Sequence, residues 1–310
     1  MESAAILLIR VHVESSVMEK KNNPSTHQKM KNTRLLPSLS AASLLILSLN
    51  SNATVLVYEG FNYTASTGIP NGTLNGGTGF GGAWNSSGNA LVNASITLSS
   101  LAPANPPGLV TSGNSFSNNN GGNIGGGTSF LDRNFTTPVG GVAQSEVWYS
   151  FIVAPANIVA GNKSIFTLRN GGSNILNMGD VGDNAPLTPS NFGFNWNGGA
   201  FVDSGLLMTT ASTFVVAKIA QGLGLDSTSV TMWINPADVS SEVALDFPSA
   251  SAIGLANFSF TNVQIASRNG ALDEFRLGTT LADVAPVPEP ATMALVMVAA
   301  LGFTGLRRRS

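Results

Sequence analysis

Cysteine is absent, and both histidines, His12 and His27, precede residue 54. Beyond that point no Ser-His-Asp or Cys-His nucleophile can form, nor a thiolate or imidazole zinc site. Catalysis would rest on carboxylates, Lys, Tyr or a hard cation held by oxygen. The acids lack the spacing such chemistry needs. Glu242 and Asp246 are four apart with no third acid, and Asp273 and Glu274 are adjacent, which on a strand is expected to turn them to opposite faces. Solvated or locally salt-bridged carboxylates are the simpler reading, Glu146 among them. No catalytic residue is assigned, and the chain is read as non-enzymatic.

Binding chemistry has more candidates. Trp84 and Trp196 lie among Gly and Asn near loops, while Trp148 and Trp233 occupy strand positions opposite the apparent core face. All four are candidate carbohydrate contacts, with burial in the core or under a loop as the alternative. Asp180, Asp183 and Asn184 form a small oxygen-rich loop, a candidate structural calcium site. It lacks the full Asp-x-Asp-x-Asp-Gly loop with a distal Glu, so a plain turn is the alternative; no other cofactor is expected. The Gly-rich stretches 76–82 and 121–127 continue into neither Gly-Lys-Ser/Thr nor a helix. They read as turns and surface loops rather than phosphate cradles.

The elements that must position these residues are strands. Gly (34 residues) and Asn are abundant and only 10% of the chain is charged, a composition of turns rather than of long helices. Short apolar runs between Gly/Asn/Ser/Pro clusters mark strands at 90–98, 144–153, 164–169, 192–196, 213–220, 229–234, 256–265 and 272–277. In 146–153, Val147, Tyr149, Phe151 and Val153 alternate with Glu146, Trp148 and Ser150. In 230–235, Val230, Met232 and Ile234 alternate with Thr231, Trp233 and Asn235. The core between two sheets is expected to hold Tyr149, Phe151, Val216, Met232, Ile234, Phe260 and Phe275. From 54 to 287 there are thirteen acids against six basic residues. That balance gives no footprint for nucleic acid.

The two ends read as targeting signals. From Met30 the chain runs through a basic MKNTR, an apolar core and a small-residue exit with Ser51 and Ala53, the parts of a secretory signal peptide cleaved after Ala53. Residues 1–29 are then a mis-assigned or extended N-terminus. At the other end, Pro288-Glu289-Pro290 precede an apolar run at 291–306 and the cluster Arg307, Arg308, Arg309. The run would extend about 24 Å as a helix, short of a ~30 Å hydrocarbon core, a gap that snorkelling arginines can close. Arginines at that end would stay cytoplasmic.

This tail resembles the PEP-CTERM sorting segment: the Pro-Glu-Pro motif, one hydrophobic helix and a basic cluster. The resemblance implies an exosortase as partner and export in a Gram-negative-type bacterium. The precursor would be anchored in the inner membrane, then processed to the cell surface or exopolysaccharide matrix. LVYEGFNY (56–63), GTLNGGTGFGGAW (72–84), VTMWINP (230–236) and ALDEFRLGTTLADV (271–284) resemble exported proteins with a concanavalin A-like, laminin-G-type jelly roll. That likeness implies two packed antiparallel sheets and, in many relatives, carbohydrate or matrix contact. Related glucanases use Glu-x-Asp-x-x-Glu on one strand, a spacing missing here.

The organisation expected is therefore 1–29, a signal peptide at 30–53, a β-sandwich domain at 54–286 and the sorting segment at 287–310. The fold class is all-β, a two-sheet antiparallel sandwich of jelly-roll type with a C-terminal single transmembrane helix. The function expected is that of a non-enzymatic exported surface or matrix protein. The alternative is a carbohydrate-binding module or divergent glycan hydrolase on the same scaffold.

Overall fold

The computed structural model describes residues 54–286 apart from 68–71, 88–93, 98–99, 120–129, 142–143, 156–163, 180–190, 225, 247 and 268. The expected signal peptide, the sorting tail with its expected transmembrane helix, and the candidate calcium ligands Asp180, Asp183 and Asn184 lie outside the described residues. No described helix is long and apolar enough to cross a membrane.

The strands are β1 (Val55–Glu59), β2 (Ser66–Thr67), β3 (Asn85–Ser87), β4 (Ala94–Thr97), β5 (Ser115–Asn119) and β6 (Phe130–Gly140). Next come β7 (Glu146–Pro155), β8 (Ser164–Asn170), β9 (Ser173–Gly179), β10 (Asn191–Trp196) and β11 (Val202–Leu207). The last are β12 (Thr213–Gln221), β13 (Thr228–Ile234), β14 (Ala250–Leu255), β15 (Ser259–Ser267) and β16 (Asn269–Gly278), followed by the short helix α1 (Leu281–Val284). Nine strands make one sheet in the order β14-β13-β12-β7-β16-β5-β4-β2, with β1 also on β16; seven make the other, β11-β10-β9-β8-β15-β6-β3. The fold is an all-β, two-sheet antiparallel sandwich.

Alternation along the strands builds the core. Val147, Tyr149, Phe151 and Val153 of β7 enter the inter-sheet layer with Val215, Ala217 and Ile219 of β12 and Val230 and Met232 of β13. From the opposite sheet comes Phe166, whose ring lies 4.5 Å from Phe151 and 5.5 Å from Phe275. Burying each such ring contributes roughly 1.5–3 kcal/mol. Tyr149, Phe151, Met232, Phe260 and Phe275 are buried where expected, and Ile234 packs against the same layer partly buried. Val216 is buried elsewhere. It pairs with Ser150 and Trp233 and faces outward into a second apolar cluster. Strand β12 is apolar on both faces, so its composition alone could not tell inside from outside.

One edge of the sandwich is closed by an ion pair. Glu59 ends β1 in the nine-stranded sheet, and Arg133 lies in β6 of the seven-stranded sheet. Their side chains meet at 2.5 Å and are 1% and 2% exposed. Glu59 also accepts from Tyr63 Oη (2.7 Å), Trp84 Nε1 (2.9 Å) and the Phe61 amide (2.9 Å). Arg133 donates to the carbonyls of Gly82 and Gly76 (2.6 Å each), and its guanidinium lies 3.9 Å from the Phe80 ring centre. The Gly-rich stretch 76–82 lies at the surface as expected, and it also straps the two sheets together. Tyr58 and Thr78 exchange backbone hydrogen bonds, and Thr136 and Gly81 donate to Gly79 and Asn134. Glycine is required because a Cβ at Gly79 would sit 2.0 Å from the Leu56 carbonyl oxygen, and Gly79 has φ +80°.

Removing one partner of a buried pair strands the other charge, a loss of about 3–5 kcal/mol. Arg133→Met should lower unfolding stability by that amount, while the Glu59→Gln/Arg133→Met double variant should lose clearly less than the sum of the single losses. Chemical unfolding of the four proteins measures the cycle. Strict additivity would contradict a direct pair.

Candidate functional site

The outer face of the nine-stranded sheet is where the chain's tail leaves. Trp148, Ile152, Phe214, Val216 and Trp233 form an apolar floor there, roofed by Val239, Leu281, Val284 and Ala285. Trp148 and Trp233 stack with ring centres 5.9 Å apart. Thr280 caps α1, and Asp283 accepts from the amides of Thr279 (2.9 Å) and Thr280 (2.8 Å), a capping box. Ser150 Oγ donates to the Val284 carbonyl at 2.6 Å, and the Val110 amide donates to the Pro286 carbonyl at 2.9 Å. The chain is thus held on the sandwich as far as Pro286, two residues before Pro288.

Beside this strap lie Asp273 and Glu274, and their placement corrects the expectation of opposite faces. The register of β16 slips between Asp273 and Arg276, and Glu274 has φ +52°. This bulge adds one residue, so Leu272 and Phe275 both point inward while Asp273 and Glu274 both turn out. It marks the point where the neighbour of β16 changes from β5 to β1. Glu274 fills that splice. It accepts from the Ser112 amide (2.6 Å) and pairs with Arg276 (2.6 Å), whose guanidinium lies 4.2 Å from the Tyr58 ring centre. Asp273 accepts from Ser100 Oγ (2.7 Å) and the amides of Leu101 (2.9 Å) and Glu274 (2.8 Å). Burial pushes its carboxyl up to about 7, against the pull of these donors. Both groups are buried beneath the 100–112 segment, so they secure a fold junction and present no open acid pair.

The four tryptophans are also placed differently from sugar platforms. Trp84 donates to Glu59 in the inter-sheet core, and Trp196 packs edge-on to Phe258 and Phe260. Trp148 and Trp233 lie under the tail strap, donating to Glu146 and to the Asp246 carbonyl. The most exposed of the four shows 7% of its surface. Large rings lower the free energy most where they lose most water. Glu146 and Glu242 both pair with Lys218 on this side (3.0 and 2.8 Å). Among the described residues, no group of three acids or histidines gathers as a metal site.

The outer face of the seven-stranded sheet carries a feature that single-strand reading missed. Asp132, Gln264, Thr167, Asn177 and Asn195 are direct cross-strand partners on β6, β15, β8, β9 and β10. They form one polar row across five strands. Gln264 donates to Asp132 (3.0 Å), Thr167 to Asn177 (2.8 Å) and Asn177 to Asn195 (2.6 Å). Arg169 pairs with Asp132 at 2.8 Å. Beyond Asn195, the Phe201 ring lies over Gly193, where a Cβ would come within 2.3 Å of it. Phe192 and Phe194 point inward, so Gly193 and the ring above it belong to the outer face. The signal for the row is register, which no single strand displays; the signal for the ring is a glycine inside a strand.

Residues 286–309 match the PEP-CTERM protein-sorting motif, so the tail carries that sorting signal as its residues implied. No curated protein matches the sequence. Among solved structures the chain is similar to domain 4 of AbnA, an extracellular GH43 arabinanase of Geobacillus stearothermophilus, in complex with arabinotriose. Identity there is 11%, over 75% of this chain and 98% of that one, with a TM-score of 0.43. It is similar also to a GH131 β-glucanase catalytic domain from Podospora anserina (12% identity, 74% and 99% covered, TM-score 0.38). A third is a Lotus tetragonolobus seed lectin (13%, 53% and 85%, TM-score 0.32).

The raised Asp273 value has a signed consequence. The fold favours the protonated form, so this contribution to stability is complete below about pH 4 and is lost as pH rises through about 7. Asp273→Asn is neutral throughout. Over that window its stability should fall less than the wild type's, the slopes differing by at most about 1.4 kcal/mol per pH unit. Urea unfolding across the range reads the difference; parallel pH profiles would contradict it.

Proposed function

We propose that this chain is a non-catalytic exported protein of the bacterial surface or exopolysaccharide matrix. Its precursor is held in the inner membrane by 291–306 and processed there by an exosortase. The observation that carries the reading is the sorting motif matched at 286–309, beginning at the last residue docked on the sandwich. An apolar run supplies residence in lipid, and three terminal arginines oppose translocation at roughly 2.5–3.5 kcal/mol apiece. The Pro-Glu-Pro tripeptide adds nothing to either role. It stands ahead of the span, on the side of the folded domain, where an enzyme in the membrane can read it. The signal peptide at 30–53 delivers the chain to that side.

A non-catalytic body agrees with how its buried acids are used. Glu59 is tied to Arg133, Glu274 to Arg276, Asp273 to the Ser100 hydroxyl and the Leu101 amide, and Asp283 to the α1 cap. A retaining glycosidase needs two carboxylates facing one open cleft about 5–5.5 Å apart. Asp273 and Glu274 share a face but lie under the 100–112 segment, which speaks against the hydrolase alternative.

Sorting separates into two testable parts. Deleting 288–310 should release the domain as a soluble product. Replacing Pro288, Glu289 and Pro290 by Ala while keeping 291–309 should leave it in the inner-membrane fraction. Fractionation of cells making each form decides the matter. A tripeptide variant that leaves the membrane as wild type does would reduce the segment to a simple anchor.

A further inference from the structure

We infer that the 101–110 segment beside the docked tail is a lipid-contact surface of the precursor, seated in the headgroup layer of the membrane that 291–306 enters. The inference rests on the membrane span proposed above. It adds to that span a face of the folded domain and an orientation.

The tether decides which face lies nearest the lipid. The Val110 amide holds the Pro286 carbonyl at 2.9 Å on the outer face of the nine-stranded sheet. The apolar run begins five residues later, at Ala291. Five residues at full extension reach about 18 Å, and the headgroup layer takes roughly 5–8 Å of that. Pro286 therefore stands no more than about 10–13 Å above the lipid surface. The seven-stranded sheet lies a further ~10 Å behind it. Val110 and the segment that leads to it are thus the part of the sandwich brought closest to the membrane.

The segment suits that layer chemically. No charged residue or histidine occurs from 60 through 131, so no ion has to leave water as the segment settles among headgroups. Leu101 and Leu109 pack onto the Trp148–Trp233 cluster. Ala102, Ala104 and Pro107 are exposed around them, and Val110 shows 42% of its surface. Alanine and proline lose almost no side-chain entropy when a surface covers them. The strap alongside exposes Ala282 and no charge, since Asp283 is buried in its cap. Glu274 and Arg276 neutralise each other, and Asp273 is buried. The remaining charges of this face lie toward β12 and β13, where Glu146 and Glu242 share Lys218 and Asp238 and Asp246 are exposed. That half is net acidic, and an anionic leaflet repels it, so the domain leans in on 101–110. Contact there keeps Pro288-Glu289-Pro290 at the lipid surface, and removal of the tail ends it.

The chain has no cysteine, so single positions can be labelled cleanly. The chain from Thr54 onward, tail included, is made with Ala104→Cys, Val243→Cys or Gly172→Cys and labelled with a small fluorophore. Each is placed in nanodiscs of phosphatidylethanolamine and phosphatidylglycerol, and co-elution with the discs reports the span. Val243 is 95% exposed on the acidic half of the face, and Gly172 lies in the β8–β9 turn of the other sheet. Brominated lipid should quench the probe at 104 several-fold more than those at 243 and 172, and aqueous iodide should quench it least. Val110→Asp should bring quenching at 104 down to the level at 172 without changing co-elution. Circular dichroism checks folding, and Ala102→Asp replaces Val110→Asp if that variant does not fold. In a chain that enters the discs, a probe at 104 open to iodide overturns the inference and leaves the span standing. So does a probe at 243 quenched by lipid more than the one at 104, or quenching unmoved by Val110→Asp and Ala102→Asp. A chain that does not enter the discs overturns the span, and the inference with it.

Discussion

The sandwich depends on a charge pair placed where charge is most costly. Glu59 and Arg133 reach each other from different sheets, and the low-dielectric interior leaves neither any partner but protein. Such a pair is tolerable only when the remaining lone pairs and protons are satisfied. Here Tyr63, Trp84 and the Phe61 amide complete Glu59, while the Gly76 and Gly82 carbonyls complete Arg133. Those partners all belong to 61–84, so satisfying the pair fixes the path of that segment. The strap is thereby ordered by polar contacts together with the apolar burial of Leu74, Phe80 and Trp84.

The opposite end of the same β-strand partnership shapes the tail. Because β1 and β5 share one edge of β16, the strand must bulge where they meet, and Glu274 takes a left-handed conformation there. The bulge turns Asp273 and Glu274 outward, and the 100–112 segment folds over them. That segment and the α1 strap together roof Trp148 and Trp233, and Val110 holds Pro286. The edge closure, the bulge and the docked tail are therefore one chain of consequences ending where the sorting motif begins.

Much of this was legible in the residues. Strands β7 and β13 show clean alternation, and their faces follow from it; the sorting tail is a linear signal and needs no fold to be read. The harder parts have physical reasons. Strand β6 was missed because Arg133 occupies an inward position between Leu131 and Phe135, and Pro138 falls in its run, inverting the cues for a strand. Val216 was assigned to the wrong layer because β12 is apolar on both sides. Asp273 and Glu274 were set on opposite faces because a bulge has no signature in two adjacent acids. For the tryptophans both sugar contact and burial were open, and the fold buries all four: an indole beside glycines is a ring that glycines let the backbone close over. The polar row and Phe201 escaped notice because cross-strand register exists only after folding.

The central claim is that the Glu59–Arg133 pair makes the Gly-rich strap part of the closed sandwich. Native-state hydrogen exchange of the full chain tests it most directly, through the amides of Thr78, Gly81 and Thr136, which bond the strap to β1 and β6. If the account holds, they exchange with the same opening free energy as the core amides of β6 and β16, in one cooperative unit. Exchange as rapid as that of an exposed turn such as Gly171–Gly172 would show the strap to be an ornament on the surface, and the account would be wrong.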